Sequence, residues 1–565
     1  MSSQHRFLGR PVGGPLLALA AAAALLPIGV TSGPVAAADA LVLAETHADA
    51  SDFEWDQGSE VNVDLADGVS SGGDGVEIEG DVVTIAAGGT YRLSGSLSDG
   101  QVVVDAGDED LVRLVLDGIS IESSTTAPLS ATAADRLVIV LAEGSSNVLG
   151  DAEGYDYPSE DTGEPNAALF SDVDMTIGGG GSLSVTGRFN DGIASKDGLV
   201  ISGGSIDVTA ADDGIRGKDY LVIEDGIITV DAAGDALTSD EEEDATLGWI
   251  RIGGGDLSLT SGKDAIEGFT AVIIDDGTMA IEAGDDAIHS ERRVEVHGGS
   301  VDISTSVEGL EGTEIVVDGG DVTVVSTDDA VNVAGESEAA GTMPDPGTMP
   351  EPPAAGDPDA PPQGDPGTRP AGDPGVPPQR GPGRGPGGPG GGGAFPGEAA
   401  IEGWYLDVSG GTLVLDAGGD GIDSNGSATI SGGTIVVDGP TVDMNGAIDV
   451  AGELVVSGGT LVASGSAGMA EAPDTGSSQP SLEIRTDSVV EAGTVVRIQS
   501  TGSTPVVTYA ASKPWASLVV STPDLVAGET YEVLLGGSAS GEQAGGLYLD
   551  PTYGPGTSVG TVTAA

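Results

Sequence analysis

The sequence predicts an all-β fold: a solenoid of about 22-residue coils of parallel β-helix, closed by a C-terminal β cap or small β domain. Three observations carry this. First, a phrase opening on Asp-Gly-Ile or Asp-Ala-Ile recurs with starts at Asp191, Asp213, Asp235, Asp264, Asp286, Glu308 and Asp329, mostly 21 or 22 residues apart. A fixed period of this length marks stacked units that cannot bury an apolar face alone. Second, each copy alternates: Ile201, Ile206 and Val208 recur as Ile223, Ile228 and Val230, then as Ile252, Leu257 and Leu259, and so on to Val317, Val322 and Val324. Period-two spacing of β-branched residues means strands with one buried face. Third, a Gly-Gly or Asp-Gly step separates the paired alternations, where a tight turn needs positive φ. No stretch carries the 3.6-residue apolar stripe of a helical repeat.

Taken in order, residues 1–38 read as a signal peptide. His5, Arg6 and Arg10 precede an apolar run from Leu16 to Val30, and small residues Val35 to Ala38 offer a cleavage point before Asp39. The run is broken by Pro27 and Gly29, and no second apolar span of about 20 residues follows, so no integral membrane segment is expected in the mature protein. The expected location is extracellular, with association to the cell surface left open. Residues 39–60 form a leader with Trp55 as a cap contact. Residues 61–334 are the parallel β-helix, ragged at first: Leu114, Leu116, Ile119 and Ile121 flank Asp117-Gly118, and Val138, Val140 and Val148 flank Glu143-Gly144. The repeat with the long step holds an extra loop, Glu241 to Leu247. Residues 335–400 are a Pro/Gly-rich insertion too poor in branched apolar residues to fold, hence expected to be disordered. Coils resume over 401–477, and 478–565 form the cap or small domain.

Composition narrows the function. The formal net charge of −72 leaves no basic face for nucleic acid. The absence of Cys excludes disulfides and thiolate chemistry. Stacked coils lie about 4.8 Å apart, so Asp191, Asp213, Asp235, Asp264 and Asp286 form a vertical column of carboxylates. Asp212 and Asp285 double the charge at two rungs. At an effective dielectric of about 20 such neighbours repel by a few kcal/mol. A hard cation offsets this, and Ca²⁺ takes oxygen ligands in flexible geometry. No His or Cys was expected in the column, so transition metals were not indicated; His47, His289 and His297 read as solvated and without a role. The plainer alternative is turn chemistry, with Asp bonding its own backbone.

Lys196, Arg216 and Lys218 are the few basic residues beside the column. They are candidates to hold a uronate, or to act as the base of a Ca²⁺-dependent lyase, or simply to pair with Asp197 and Asp219. Tyr220 and Trp249 are candidate sugar platforms, as are Trp404, Tyr405, Tyr155 and Tyr157, although each is equally a core residue.

The runs NDGIASKDGLVISGG, ADDGIRGKDYLVIEDG and GDALTSD resemble a family of secreted bacterial carbohydrate-binding proteins known from cellulolytic bacteria. So do Gly446 to Pro473 and Lys513 to Ser538. The resemblance spans roughly Trp55 to Ser538. It implies a right-handed, polysaccharide-lyase-like parallel β-helix that binds Ca²⁺ and holds cellulose or acidic plant-type polysaccharide rather than cleaving it. A lyase of the same architecture, and a structural cell-surface solenoid rigidified by Ca²⁺, are the two alternatives.

Overall fold

A computed structural model describes residues 41–107, 109–155, 163–335 and 399–565. The expected signal peptide, Tyr157 and nearly all of the 335–400 insertion lie outside these residues. The chain divides into units 1–41 and 42–565, and the second is described here.

The unit is built from β-strands, with two short 3-10 helices at its start. Among the described residues no helix is long and apolar enough to cross a membrane. Each regular repeat contributes three strands. In one of them these are Ile215–Gly217, Tyr220–Ile223 and Ile227–Ala232. Each strand pairs in parallel with its equivalent one repeat on: Ile215 opposite Leu237, Ile223 opposite Ile252, Val230 opposite Leu259. The first of the three strands builds a 14-stranded sheet that runs from Val76–Glu79 to Ile448–Val450. The pairing continues across the undescribed stretch, with Glu314–Val317 against Tyr405–Val408 and Asp321–Ser326 against Thr412–Ala417.

The alternating residues face inward as their period requires. Ile201, Ile223, Ile252, Ile274, Val296 and Val317 are fully buried and stack into one apolar core with Ile206, Val208, Ile228 and Val230. The turn glycines between the paired strands take positive φ, as at Gly255 (94°) and Gly299 (79°). Gly214, after the column acid Asp213, serves differently, whereas Asp235, Asp264 and Asp286 are followed by Ala. Gly214 has no positive φ; instead a Cβ there would lie 2.3 Å from Val230 Cγ1 and 2.6 Å from the Ala236 carbonyl oxygen. Close approach of neighbouring repeats, not turn geometry, requires glycine at that point.

Two local expectations are corrected. In Arg136–Leu141 the inward set is Leu137, Ile139 and Leu141, followed by Leu149, while Val138 and Val140 face outward. All of Leu137 to Leu141 is apolar because both faces are covered, so alternation alone could not choose the inner one. The outer cover is Phe53 and Trp55, with the Arg113 guanidinium 5.4 Å from the Trp55 ring centroid. Trp55 therefore packs against the flank of the stack instead of capping its end.

The C-terminal end is closed differently. Trp515–Ser521 runs antiparallel to both Thr460–Gly465 and Ser481–Val490. A six-stranded antiparallel sheet beyond it has its own core around Val496, Ile498, Tyr509 and Val533. The antiparallel strand pairs the last strand of its row, an otherwise open template for another chain.

We predict that Gly214→Ala lowers stability by about 1–3 kcal/mol through overpacking between repeats. Chemical denaturation checks it; an unchanged midpoint would contradict close approach as the reason for this glycine.

Candidate functional site

The first strand of each repeat is preceded by the column of acids, and the structure shows what each carboxylate does. Asp235 Oδ1 accepts the backbone N–H of Asp264 at 2.9 Å, and Asp264 Oδ1 accepts that of Asp286 at 2.9 Å. Asp213 does the same for Asp235 at 3.0 Å, Asp191 for Asp213 at 3.4 Å and Asp286 for Glu308 at 3.1 Å. Each acid thus bonds the next repeat's backbone, not its own as turn chemistry supposes. The pattern lapses at Glu308, whose longer side chain reaches Asn332 Nδ2 at 2.5 Å. It resumes at Asp329, which accepts from Asp420 N, and at Asp420, which accepts from Gly446 N, both at 2.5 Å. The column therefore runs through two further acids that the sequence reading did not include as site residues.

A second column stands three residues on. Strand register places Ala194, Arg216, Thr238, Glu267, His289, Glu311, Asn332, Asp423 and Asp449 side by side, each opposite the next. Sequence reasoning missed this column because its members share no residue type. The available signal was position: after every column acid but Asp191, a polar or charged residue three places on, as in DAIE, DAIH, EGLE and DGID. The two columns meet in two clusters, Asp264–Glu267–His289 and Asp286–Glu308–Glu311. In each, three potential ligand atoms lie within 4.8 Å of one another.

Crowding shifts the acids upward. Burial, then the Asp213 charge, pushes Asp191 up to about 7. Burial, with neighbouring carboxylates adding to it, pushes Asp213 up to about 6 and Asp235 and Glu308 up to about 7. Asp420 reaches about 7, and Glu311, buried and bonded to Asp286 and Glu308, about 10. Asp285 and Asp286 are also raised, burial being the main cause. Burial works against charge on His289, but its contact with Asp264 (Nδ1 to Oδ2 3.3 Å) and the charges of Asp286 and Glu267 outweigh it and lift the imidazole to about 9.

The reading of His289 as solvated and without a role is therefore corrected: it stands in the second column as a half-buried cation in contact with Asp264 of the first. Nor are the others free in solvent: His47 bonds the Tyr220 hydroxyl and Thr176 Oγ1 at 2.8 and 2.9 Å, and His297 bonds Asp318 at 2.9 Å.

The other named residues separate. Asp212 and Asp285 lie outside both clusters; Asp285 is exposed, and Asp212 stands 3.9 Å from Lys263. Lys196 pairs with Glu164 (2.9 Å) and Asp172 (3.4 Å), and Lys218 with Glu241 (2.5 Å), rather than with Asp197 and Asp219. Arg216 makes a two-pronged pair with Asp240 at 3.0 and 2.6 Å. Tyr220 and Trp249 are only 5% and 3% exposed. They stack on each other at 5.1 Å and lie under the N-terminal segment, with His47 stacked on Tyr220 and Ala44 N donating to Thr246 O. An open sugar platform does not exist at these two rings. Tyr405 is bonded by Arg293 and Tyr155 stacks on Phe189.

Basic residues are unevenly spread along the columns. Arg216, Lys263 and His289 accompany the acids from Asp191 to Asp286. Among the described residues no ion pair reaches Glu308, Glu311, Asp329, Asp420, Asp423 or Asp449.

The fold and site define a class: an all-β protein of stacked repeats with a column of acids beside a second, mixed column of mostly polar and charged residues on one sheet. Residues 79–344, which include both clusters, match a family model described as carbohydrate-binding domain-containing protein. A protein of the same description from Acetivibrio thermocellus is 42% identical over 137 residues, which is 24% of this chain and 48% of that protein; the chain thus spans about half the length of this relative. A solved structure of the polysaccharide lyase-like protein from C. thermocellum, a gadolinium derivative, is 32% identical and covers 44% of this chain and 94% of its own, with a TM-score of 0.38.

The shifts set a pH dependence. In the unfolded chain these carboxyls lose protons near 4, whereas Asp191, Asp235 and Glu308 keep them in the fold to about 7. Between those values the folded state binds more protons, so stability falls as pH rises. In chelator, melting temperature should drop between pH 5.5 and pH 8, and less so in Asp235→Asn; a melting temperature that rises over this range would contradict the raised column.

Proposed function

We propose that this chain is a secreted carbohydrate-binding protein. Its stacked repeats wind as a right-handed parallel β-helix, and one Ca²⁺-loaded face holds polysaccharide, with acidic uronate polymers the first candidates and cellulose the second. The observation that carries the reading is the Asp286–Glu308–Glu311 cluster, three carboxylates with ligand atoms within 4.8 Å, inside the stretch that matches carbohydrate-binding domains.

The donor set fits calcium. All three groups offer oxygen, and Ca²⁺ takes six to eight oxygen ligands at about 2.3–2.6 Å with little geometric demand. No ion pair reaches Glu308 or Glu311 among the described residues, so a proton or an added cation must offset their charge. The neighbouring Asp264–Glu267–His289 cluster is a poorer calcium site. Its imidazolium already supplies a positive charge, and nitrogen is not a favoured ligand for this ion. The calcium reading thus moves from the full Asp191–Asp286 column towards its Asp286 end. Asp286, Glu308 and Glu311 would hold the ion, which would supply the positive charge for a uronate carboxylate, while the flanking acids would accept hydrogen bonds from polymer hydroxyls.

The lyase alternative asks Lys196, Arg216 or Lys218 to remove a proton. Hydrogen bonds that the lysines donate to Glu164 and Glu241 raise both, and at Arg216 burial works against the charge but the Asp240 pair and neighbouring acids outweigh it. A base must be unprotonated near working pH, so these ion pairs favour binding over cleavage.

Native affinity electrophoresis in polygalacturonate gels tests the proposal. Retardation in Ca²⁺, lost in chelator and in Asp286→Asn, with the polymer still staining intact, is the expected outcome. A cleared zone would overturn it in favour of a lyase. Equal migration with and without polymer would rule out uronate recognition.

A further inference from the structure

On two neighbouring rungs of the second column, two buried oxygens have no partner. Asn332 and Asp423 are direct neighbours in the parallel pairing of Val331–Val333 with Ile422–Ser424. They are 4% and 2% exposed. Asn332 Oδ1 and Asp423 Oδ1 both lack a hydrogen-bond donor. The Asn332 amide nitrogen is committed to Glu308 Oε2 (2.5 Å) and Glu311 Oε1 (3.5 Å) in the preceding repeat, which turns its oxygen away from them. Buried acceptors without a donor are rare because each costs its desolvation.

We propose that Asn332 and Asp423, flanked by Asp329 and Asp420, form a separate divalent-cation site that clamps the repeat before residues 336–398 to the repeat after them. Every donor there is oxygen. Asp329 and Asp420 are buried, each spends one oxygen on a backbone N–H of the following repeat, and the Asp329 carboxyl also meets that of Asp423. Asp449, opposite Asp423 on the next rung, adds charge. No arginine, lysine or histidine pairs with these acids among the described residues, whereas the Asp191–Asp286 stretch has three such cations.

The site has a structural rationale of its own. Along most of the stack consecutive repeats are joined by short turns. Here Asn332 pairs with Asp423, 91 residues further along the chain, and the entropy cost of bringing two points of a chain together grows with the separation between them. An ion bound by side chains from both repeats stabilises that closure without contacting polymer. The inference therefore does not rest on the carbohydrate reading.

The test uses the full chain and calcium alone. Bound Ca²⁺ is counted by equilibrium dialysis with metal analysis, and the Ca²⁺-induced rise in melting temperature is measured alongside. Asp423→Asn should bind one ion fewer than the natural chain and lose part of that rise, while keeping calcium-dependent retardation in polygalacturonate if the natural chain shows it. Asp286→Asn should lose a different ion, so that the double variant loses both. Should Asp423→Asn fold poorly, Asp420→Asn, which retains an oxygen for Gly446 N, should show the same missing ion. An unchanged ion count in these variants would overturn the clamp and leave a proton as the occupant. Failure of retardation in the natural chain would count against the carbohydrate reading alone.

Discussion

The bond from each column carboxylate to the backbone N–H of the next repeat is the constraint on which the rest depends. Parallel strands of three residues, such as Ile215–Gly217 and Leu237–Ser239, share few ladder bonds. A charged acceptor on a backbone donor is stronger than a neutral one, and it fixes where the next short strand starts. The same bond has a consequence. Because the acid must sit at the same place in every repeat, its unused oxygen repeats at the strand spacing, and a register device becomes a column of charge.

That charge is offset in two ways along the stack. From Asp191 to Asp286 the protein supplies its own cations in Arg216, Lys263 and His289. From Glu308 onward it supplies none among the described residues, and the acids crowd until burial and their neighbours lift Glu311 to about 10 and Asp423 to about 9. Groups held so far from their ordinary range sit in functional sites more often than elsewhere. The part of the column lacking internal cations is also the part where buried oxygens stand unpartnered, at Asn332 and Asp423.

Much of the fold was legible in the residues, for physical reasons that also explain the failures. Ile206, Val208, Ile228 and Val230 announce their face because the outer neighbours, Asp207 and Thr229, are polar and exposed. The stretch Leu137 to Leu141 does not, because Phe53 and Trp55 bury its outer face from far away in sequence. The first acid column was visible as a repeated Asp. The second was not, since Arg216, Thr238, Glu267, His289 and Asn332 share a position and no chemistry. Tyr220 and Trp249 looked available for sugar because their cover, the segment around Ala44 and His47, is about as remote in sequence as it is close in space.

The most direct test of the account is proton release on calcium binding. For a cation to bind the proposed sites, carboxyls such as Glu311 and Glu308, which burial and their neighbours raise, would have to give up protons. Calcium added to the full chain in weak buffer at pH 7 should therefore liberate protons until binding saturates, with a smaller release in Asp286→Asn. Calcium uptake with no proton release, or no uptake at all, would contradict the account.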